Sequence, residues 1–207
     1  MNRKFTIFII ILLLLLVAGG VFWWWRSKEP DVGFVSPNEF IQTEVNGEKI
    51  IEYKKTGFKI KIPGDWETTD NSGVRLLCTS SDFQLHPEVG PSGAPLPEKG
   101  CAIAISIRKE KESTSYDIEY SYLRENIELC LGPEHDCGDY EIIELDKNKA
   151  VRYIYLLEDK SISGKYVWVK IPKDEKIYTF EAYLFSQDRE KCTQEFDKIL
   201  QTVEIRK

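Results

Sequence analysis

Histidine is almost missing from this 207-residue chain, which holds only His86 and His135. That scarcity leaves few bases for a serine or cysteine triad, and neither histidine is flanked by a nucleophile motif. No phosphate-cradling Gly-rich loop occurs, and no internal repeat. An excess of basic charge is missing too. The chain carries 28 basic against 34 acidic residues, a net charge of −6, which argues against nucleic acid as a partner. An S-x-x-K match at Ser106–Lys109 and a K-T-G match at Lys55–Gly57 stand in the wrong order for a penicillin-interacting serine enzyme. No S-D-N triplet accompanies them. Paired carboxylates for glycoside cleavage stay open only because acids are numerous. The expectation is a protein that is not an enzyme and needs no cofactor.

Charge is also absent from Phe5 to Trp25, 21 residues in which Thr6 is the only hydroxyl. As a helix this run reaches roughly 31 Å, the thickness of a bilayer core. Trp23, Trp24 and Trp25 close it, and indoles favour the membrane interface. The reading is one N-terminal transmembrane helix at 5–25, an uncleaved anchor behind a short tail at 1–4. A signal peptide cut before Val21 is the alternative. No cysteine follows the run, so a lipoprotein attachment site is lacking. Arg3 and Lys4 on one side balance Arg26 and Lys28 on the other. The terminal amine and the signal-anchor form then favour a domain on the extracytoplasmic side of the cell membrane.

Five cysteines bear on the compartment. Cys192, Phe196, Ile199, Leu200 and Val203 follow the buried stripe of an amphipathic helix, so Cys192 reads as a free core thiol. Cys78, Cys101, Cys130 and Cys137 remain as disulfide candidates. The simplest scheme joins Cys78 to Cys101 and Cys130 to Cys137, one of about fifteen possible drawings. Disulfides would agree with a place outside the cytosol. Cys130-x4-His135-x-Cys137 contains zinc-ligand types, but its spacing matches no common zinc site. No metal is therefore expected.

Residues 26–49 read as a tether with Pro30, Gly33 and Pro37, leaving 50–207 as the folded unit. Strands are predicted at 58–62, 74–78, 101–108, 141–145, 150–158, 165–171 and 177–185. Helices are predicted from Thr114 to about Cys130 and after Ser186, a candidate cap. Short links imply mostly antiparallel pairing. The expected fold class is α+β, a sheet flanked by helices in an α/β/α sandwich. Residues 79–100 hold four prolines and three glycines. Pinned at its base, this long loop offers Phe83, Leu85, His86 and Leu96 as a contact surface for a partner; a plain surface insertion is the alternative.

Tyr53, then Gly57-Phe58-Lys59-Ile60-Lys61-Ile62-Pro63-Gly64-Asp65-Trp66, resembles the opening of PsbP-like domains. Tyr178–Ala182 and Phe196–Val203 resemble their ending. The likeness spans roughly residues 50–205 and rests on the two ends. It implies a sheet sandwiched between helices, in a membrane-attached bacterial-type relative that binds proteins. It carries over no metal ligand. The function expected is a membrane-anchored, extracytoplasmic module for protein interaction or assembly support. Small-molecule or metal binding is the alternative, and a hydrolase with an unrecognised site ranks below it. Peptide mapping without reduction is expected to recover Cys130 linked to Cys137. Stoichiometric zinc with both thiols free would exclude that link.

Overall fold

A computed structural model describes residues 33–89, 95–110, 140–158, 163–185 and 187–206. In chain order the strands are β1 (Gly33–Phe34), β2 (Ile41–Val45), β3 (Glu48–Tyr53), β4 (Phe58–Pro63), β5 (Glu67–Asn71), β6 (Arg75–Thr79), β7 (Gln84–Val89) and β8 (Pro95–Lys99). They continue with β9 (Ala102–Lys109), β10 (Tyr140–Leu145), β11 (Asn148–Glu158), β12 (Ser163–Lys173) and β13 (Lys176–Leu184). Helix α1 (Arg189–Leu200) and β14 (Glu204–Ile205) close the chain.

The large sheet runs β10-β11-β12-β13-β9-β6-β5, every neighbour antiparallel. Strand β1 lies beside the end of β9, where Gly33 and Phe34 pair with Lys109 and Arg108. A second sheet, β14-β4-β3-β2, packs on one face of the first. The alternation of β13 explains the contact. Tyr178, Phe180 and Ala182 point to one side, and the Phe58 ring of β4 lies 5.6 Å from Tyr178 and 6.1 Å from Phe180. Phe40 closes on Phe58 and Tyr53 at 6.3 and 5.9 Å. Helix α1 completes this layer with Cys192, Phe196, Ile199 and Leu200 buried, as its periodicity predicts. Arg152 of β11 ion-pairs with Asp197 of the helix at 2.9 Å.

The expected α/β/α sandwich is not what forms. The second layer is mainly a sheet, and α1 is the one α-helix among the described residues. The difference arises largely in the segment read as a tether. Ile41–Val45 and Glu48–Tyr53 pair across Asn46-Gly47, whose φ values of 53° and 77° suit a tight two-residue hairpin turn. Pairing thus starts at Gly33, not near Ile50. The helix expected at 114–130 lies outside the described residues. So does the 5–25 anchor; among the described residues no helix is long and apolar enough to cross a membrane.

The cysteine scheme changes as well. Cys101 bonds to Cys192, with Cα atoms 5.3 Å apart, and Cys78 is a buried free thiol. Sheet register gives the reason. Cys78 pairs with Ile103, whereas Cys101 accepts from the Ser80 N–H at 2.9 Å. Cys78 and Cys101 are therefore diagonal neighbours, typically about 7–8 Å apart, beyond ordinary disulfide reach. Burial pushes the Cys78 thiol from its usual 9.0 up to about 12, which makes it inert. Cys130 and Cys137 lie outside the described residues.

A bond spanning 91 residues should stabilise the fold by about 4.5 kcal/mol in the chain-entropy model. Replacing both Cys101 and Cys192 by Ala is expected to lose most of that in urea unfolding. A loss under about 1 kcal/mol, or a mapped Cys78–Cys101 peptide, would contradict the pairing.

Candidate functional site

The 79–100 segment, read as a structureless loop, is a hairpin. β7 and β8 pair with irregular register, Gln84 opposite Lys99 and Leu85 opposite Pro97. Its base is tied by a compact polar knot. The Ser80 hydroxyl donates to Asp82 Oδ1 at 2.7 Å and accepts from the Cys101 N–H at 2.8 Å. Phe83 N donates to Ser80 O at 2.9 Å. Gly100 N donates to Asp188 Oδ2 at 3.1 Å, so this helix N-cap residue grips the hairpin. Ser186, the expected cap, lies outside the described residues. Gly100 has a φ of +74°, and a Cβ there would meet Ser80 Oγ at 2.6 Å and Phe83 Cα at 2.8 Å. No other residue fits that crossing without a shift. The hydrogen bond from Ser80, followed by the Lys191 charge, holds the Asp82 carboxyl below its usual range against some desolvation.

The hairpin walls a cleft of about 420 Å³ on the sheet face away from the second sheet. Phe83, Leu85 and Pro97 form the hairpin side; Leu77 and Ala102 form the floor. Thr69, Asp70 and Asn71 of edge strand β5 make one lip. Arg75, the cross-strand partner of Asn71, and Tyr183 also line the cleft, joined through Glu181. Arg75 Nη1 lies 2.7 Å from Glu181 Oε2, and the Tyr183 hydroxyl donates to the same oxygen at 3.0 Å. Burial first, then the Glu181 charge and the hydrogen bond to it, hold the Tyr183 phenol protonated far above its ordinary value, with Arg75 opposing. Beyond Tyr183 the same face carries an aromatic row. Tyr166 meets Tyr183 at 5.6 Å and Phe185 at 4.6 Å, and Trp168 stacks on Tyr153 at 5.6 Å.

Of the residues expected to form a contact loop, Phe83 and Leu85 line the cleft, and Leu85 is half exposed at its mouth. His86 and Leu96 belong to β7 and β8, but their side chains lie outside the description, as do Trp23, Trp24 and Trp25. Arg75, Glu181 and Tyr183 escaped the sequence reading. One signal was present: Glu181 is an acid inside the aromatic strand 177–185, where the period of two sets Thr179, Glu181 and Tyr183 on a single face. Its partner Arg75 stands 106 residues earlier and is invisible without the pairing.

The cleft offers apolar walls, a phenol whose one hydrogen is committed to Glu181, and a guanidinium already matched to the same carboxylate. That suits binding. Among the described side chains no imidazole faces it, and strand β9 puts Ser106 and Lys109 on opposite faces, so S-x-x-K is not assembled. Lys54–Thr56 forms a short 3-10 turn on the second sheet. No group of His, Cys, Asp and Glu that suits a metal occurs among the described residues.

No protein-family model matches the chain, and no curated protein matches it. A crystal structure from Bacteroides thetaiotaomicron VPI-5482, at 1.50 Å resolution, is similar at 14% identity and a TM-score of 0.48. The match covers 72% of this chain and 45% of that one, so this chain spans less than half the length of its neighbour.

Tyr183 yields a pH prediction. Its folded-state pKa is raised, so its contribution to stability is full below about pH 10 and is lost as pH rises toward the folded value. Tyr183→Phe is expected to flatten the stability decline above pH 10 relative to wild type. Identical alkaline slopes in thermal melts would show that the phenol is not held as described.

Proposed function

We propose that the domain is a non-catalytic binding module that captures a small, partly apolar ligand in the cleft beneath the β7–β8 hairpin. The observation that carries this reading is the cleft itself. A volume of about 420 Å³ falls in the range of small-molecule sites, and its apolar walls end in a few converging polar groups. The hairpin base is fixed by hydrogen bonds and by the nearby disulfide. The wall is thus organised before the ligand arrives, which lowers the ordering cost of binding. We place the module on the extracytoplasmic side of the cell membrane, tethered by the 5–25 segment. The Cys101–Cys192 bond supports an oxidising compartment.

A second reading, a protein-contact module for assembly support, draws on one observation. Leu85 is 50% exposed at the cleft mouth, where a polypeptide side chain can seat. The likeness of the two chain ends to PsbP-like domains points the same way.

Native mass spectrometry of the full chain from its own membranes is expected to show a retained small molecule. Leu85→Asp should reduce that retention at least about tenfold, by placing a charge against the apolar wall. A photo-crosslinker at position 85 that captures a polypeptide, with no small molecule retained, would favour the second reading and overturn the first.

A further inference from the structure

We infer that the chain pairs with a second copy of itself through the outer edge of β2, in a two-fold antiparallel strand pair that joins the two small sheets into one. The cleft belongs to the large sheet, so the pairing and the ligand site stand apart. β2 is the last strand of the second sheet, and all five of its residues are exposed. Hairpin geometry decides which backbone groups point outward. The two-residue turn makes Val45 and Glu48 a hydrogen-bonded pair, and alternation gives the same to Thr43 with Ile50 and to Ile41 with Glu52. The N–H and C=O groups of Gln42 and Glu44 are left on the outer edge, with no backbone partner among the described residues. An edge in that state is a template for another strand. Lysine, proline and a bulge, the usual guards of an edge, are all missing from β2.

The sequence of β2 matches itself when reversed. With a two-fold axis at Thr43, Ile41 opposes Val45 of the second copy, Gln42 opposes Glu44, and Thr43 opposes Thr43. Apolar meets apolar, hydroxyl meets hydroxyl, and the one acid meets a neutral amide, so no like charges face each other. Ile41 and Val45, 38% and 47% exposed, gain apolar neighbours. Gln42 and Glu44 are the outward residues, so they exchange both of their backbone bonds at each end of the pair. The other sheet edges suit this operation less. With the axis at Ile142, β10 would set Glu141 against Ile143 and Tyr140 against Glu144. β5 carries Glu67 and Asp70, has no apolar residue, and is touched by the 3-10 turn Pro37–Glu39. β2 is also held in place before a partner arrives. The Thr68 hydroxyl donates to Gln42 Oε1 at 2.6 Å, and Gly64 N donates to Gly47 O at 2.9 Å at the turn. A pair of five-residue strands is smaller than the interfaces of about 1,200 Å² or more that hold stable complexes, so the dimer is a weak one.

The test uses the full chain. Thr43 opposite Thr43 is a non-hydrogen-bonded pair with Cα atoms about 4.5 Å apart, within disulfide reach. Mild oxidation of Thr43→Cys in its own membranes is expected to give a peptide linked to its own copy, identified by mass spectrometry. Ile41→Cys alone should not link to itself, but Ile41→Cys mixed with Val45→Cys should link the two. Sedimentation in detergent is expected to show dimers that grow with concentration. Glu44→Pro removes an outward donor and leaves the β3 ladder intact, so it should weaken the dimer about tenfold or more without lowering the melting temperature of the monomer. Thr43→Lys, which sets two cations on the axis, should weaken it about fivefold, and mixing it with Thr43→Glu should restore pairing. A wild-type chain that stays monomeric up to about 1 mM would overturn the pairing. So would a dimer unmoved by both Glu44→Pro and Thr43→Lys, or a Thr43→Cys chain that links only to other proteins.

Discussion

The crossing at Gly100 and Cys101 is the constraint on which the candidate site depends. Here the β7–β8 hairpin returns to the sheet, β9 begins, and helix α1 is joined to the same point by Cys192 and Asp188. Ser80 receives the Cys101 N–H and offers its own hydroxyl to Asp82, so the two ends of a 22-residue excursion meet through short hydrogen bonds. Without this closure the hairpin would be a long Pro-rich insertion joined to the sheet only by its strand ends. With it, Phe83 and Pro97 stand over Leu77 and Ala102, and a volume is enclosed between them. The small residues of β9 share in this. Ala102 and Ala104 lie 3% and 1% exposed, and larger side chains there would fill the floor.

The second determinant is the Arg75–Glu181–Tyr183 bridge. Its worth to folding is modest. Arg75 is 39% exposed while Glu181 is 12% exposed, so solvent screens one partner and desolvation penalises the other. Hydrophobic residues of similar size would hold the strands together as well. What such residues could not do is hold a guanidinium and a phenol at the cleft. Because the Tyr183 hydroxyl donates a hydrogen bond to Glu181 and keeps its proton, the shared carboxylate is satisfied from both sides. The half-buried pair is better understood as a fixed polar lining of the cleft than as a source of stability.

Much of the fold was legible because period-two alternation is local. The strands expected at 101–108, 165–171 and 177–185 match β9, β12 and β13 to within two residues at each end, and the stripe through Phe196 and Leu200 lies in a helix. Illegible were the features set by long-range register. Cys78 and Cys101 looked like a pair because they bracket one loop, but antiparallel pairing put Ile103 opposite Cys78 and turned Cys101 toward Cys192. Burial of Cys192 was read correctly and its chemistry was not, since a buried stripe suits a half-cystine as well as a thiol. Asn46-Gly47 was a visible hairpin signal, hidden because polar β2 and the prolines before it suggested a tether. The cleft wall was half legible. Phe83 and Leu85 stood out by composition, while Arg75 and Ser106 become neighbours only through the order β13-β9-β6.

That order also bears on the proposed binding role of this face. A catalytic centre needs a group poised to change protonation near neutral pH. The groups around Arg75 are arranged for the opposite. The Tyr183 phenol is pushed away from neutrality and the guanidinium is permanently charged. Neither group changes its charge near neutral pH. Fixed charge beside a preformed apolar wall is what the proposed binding role asks of this face.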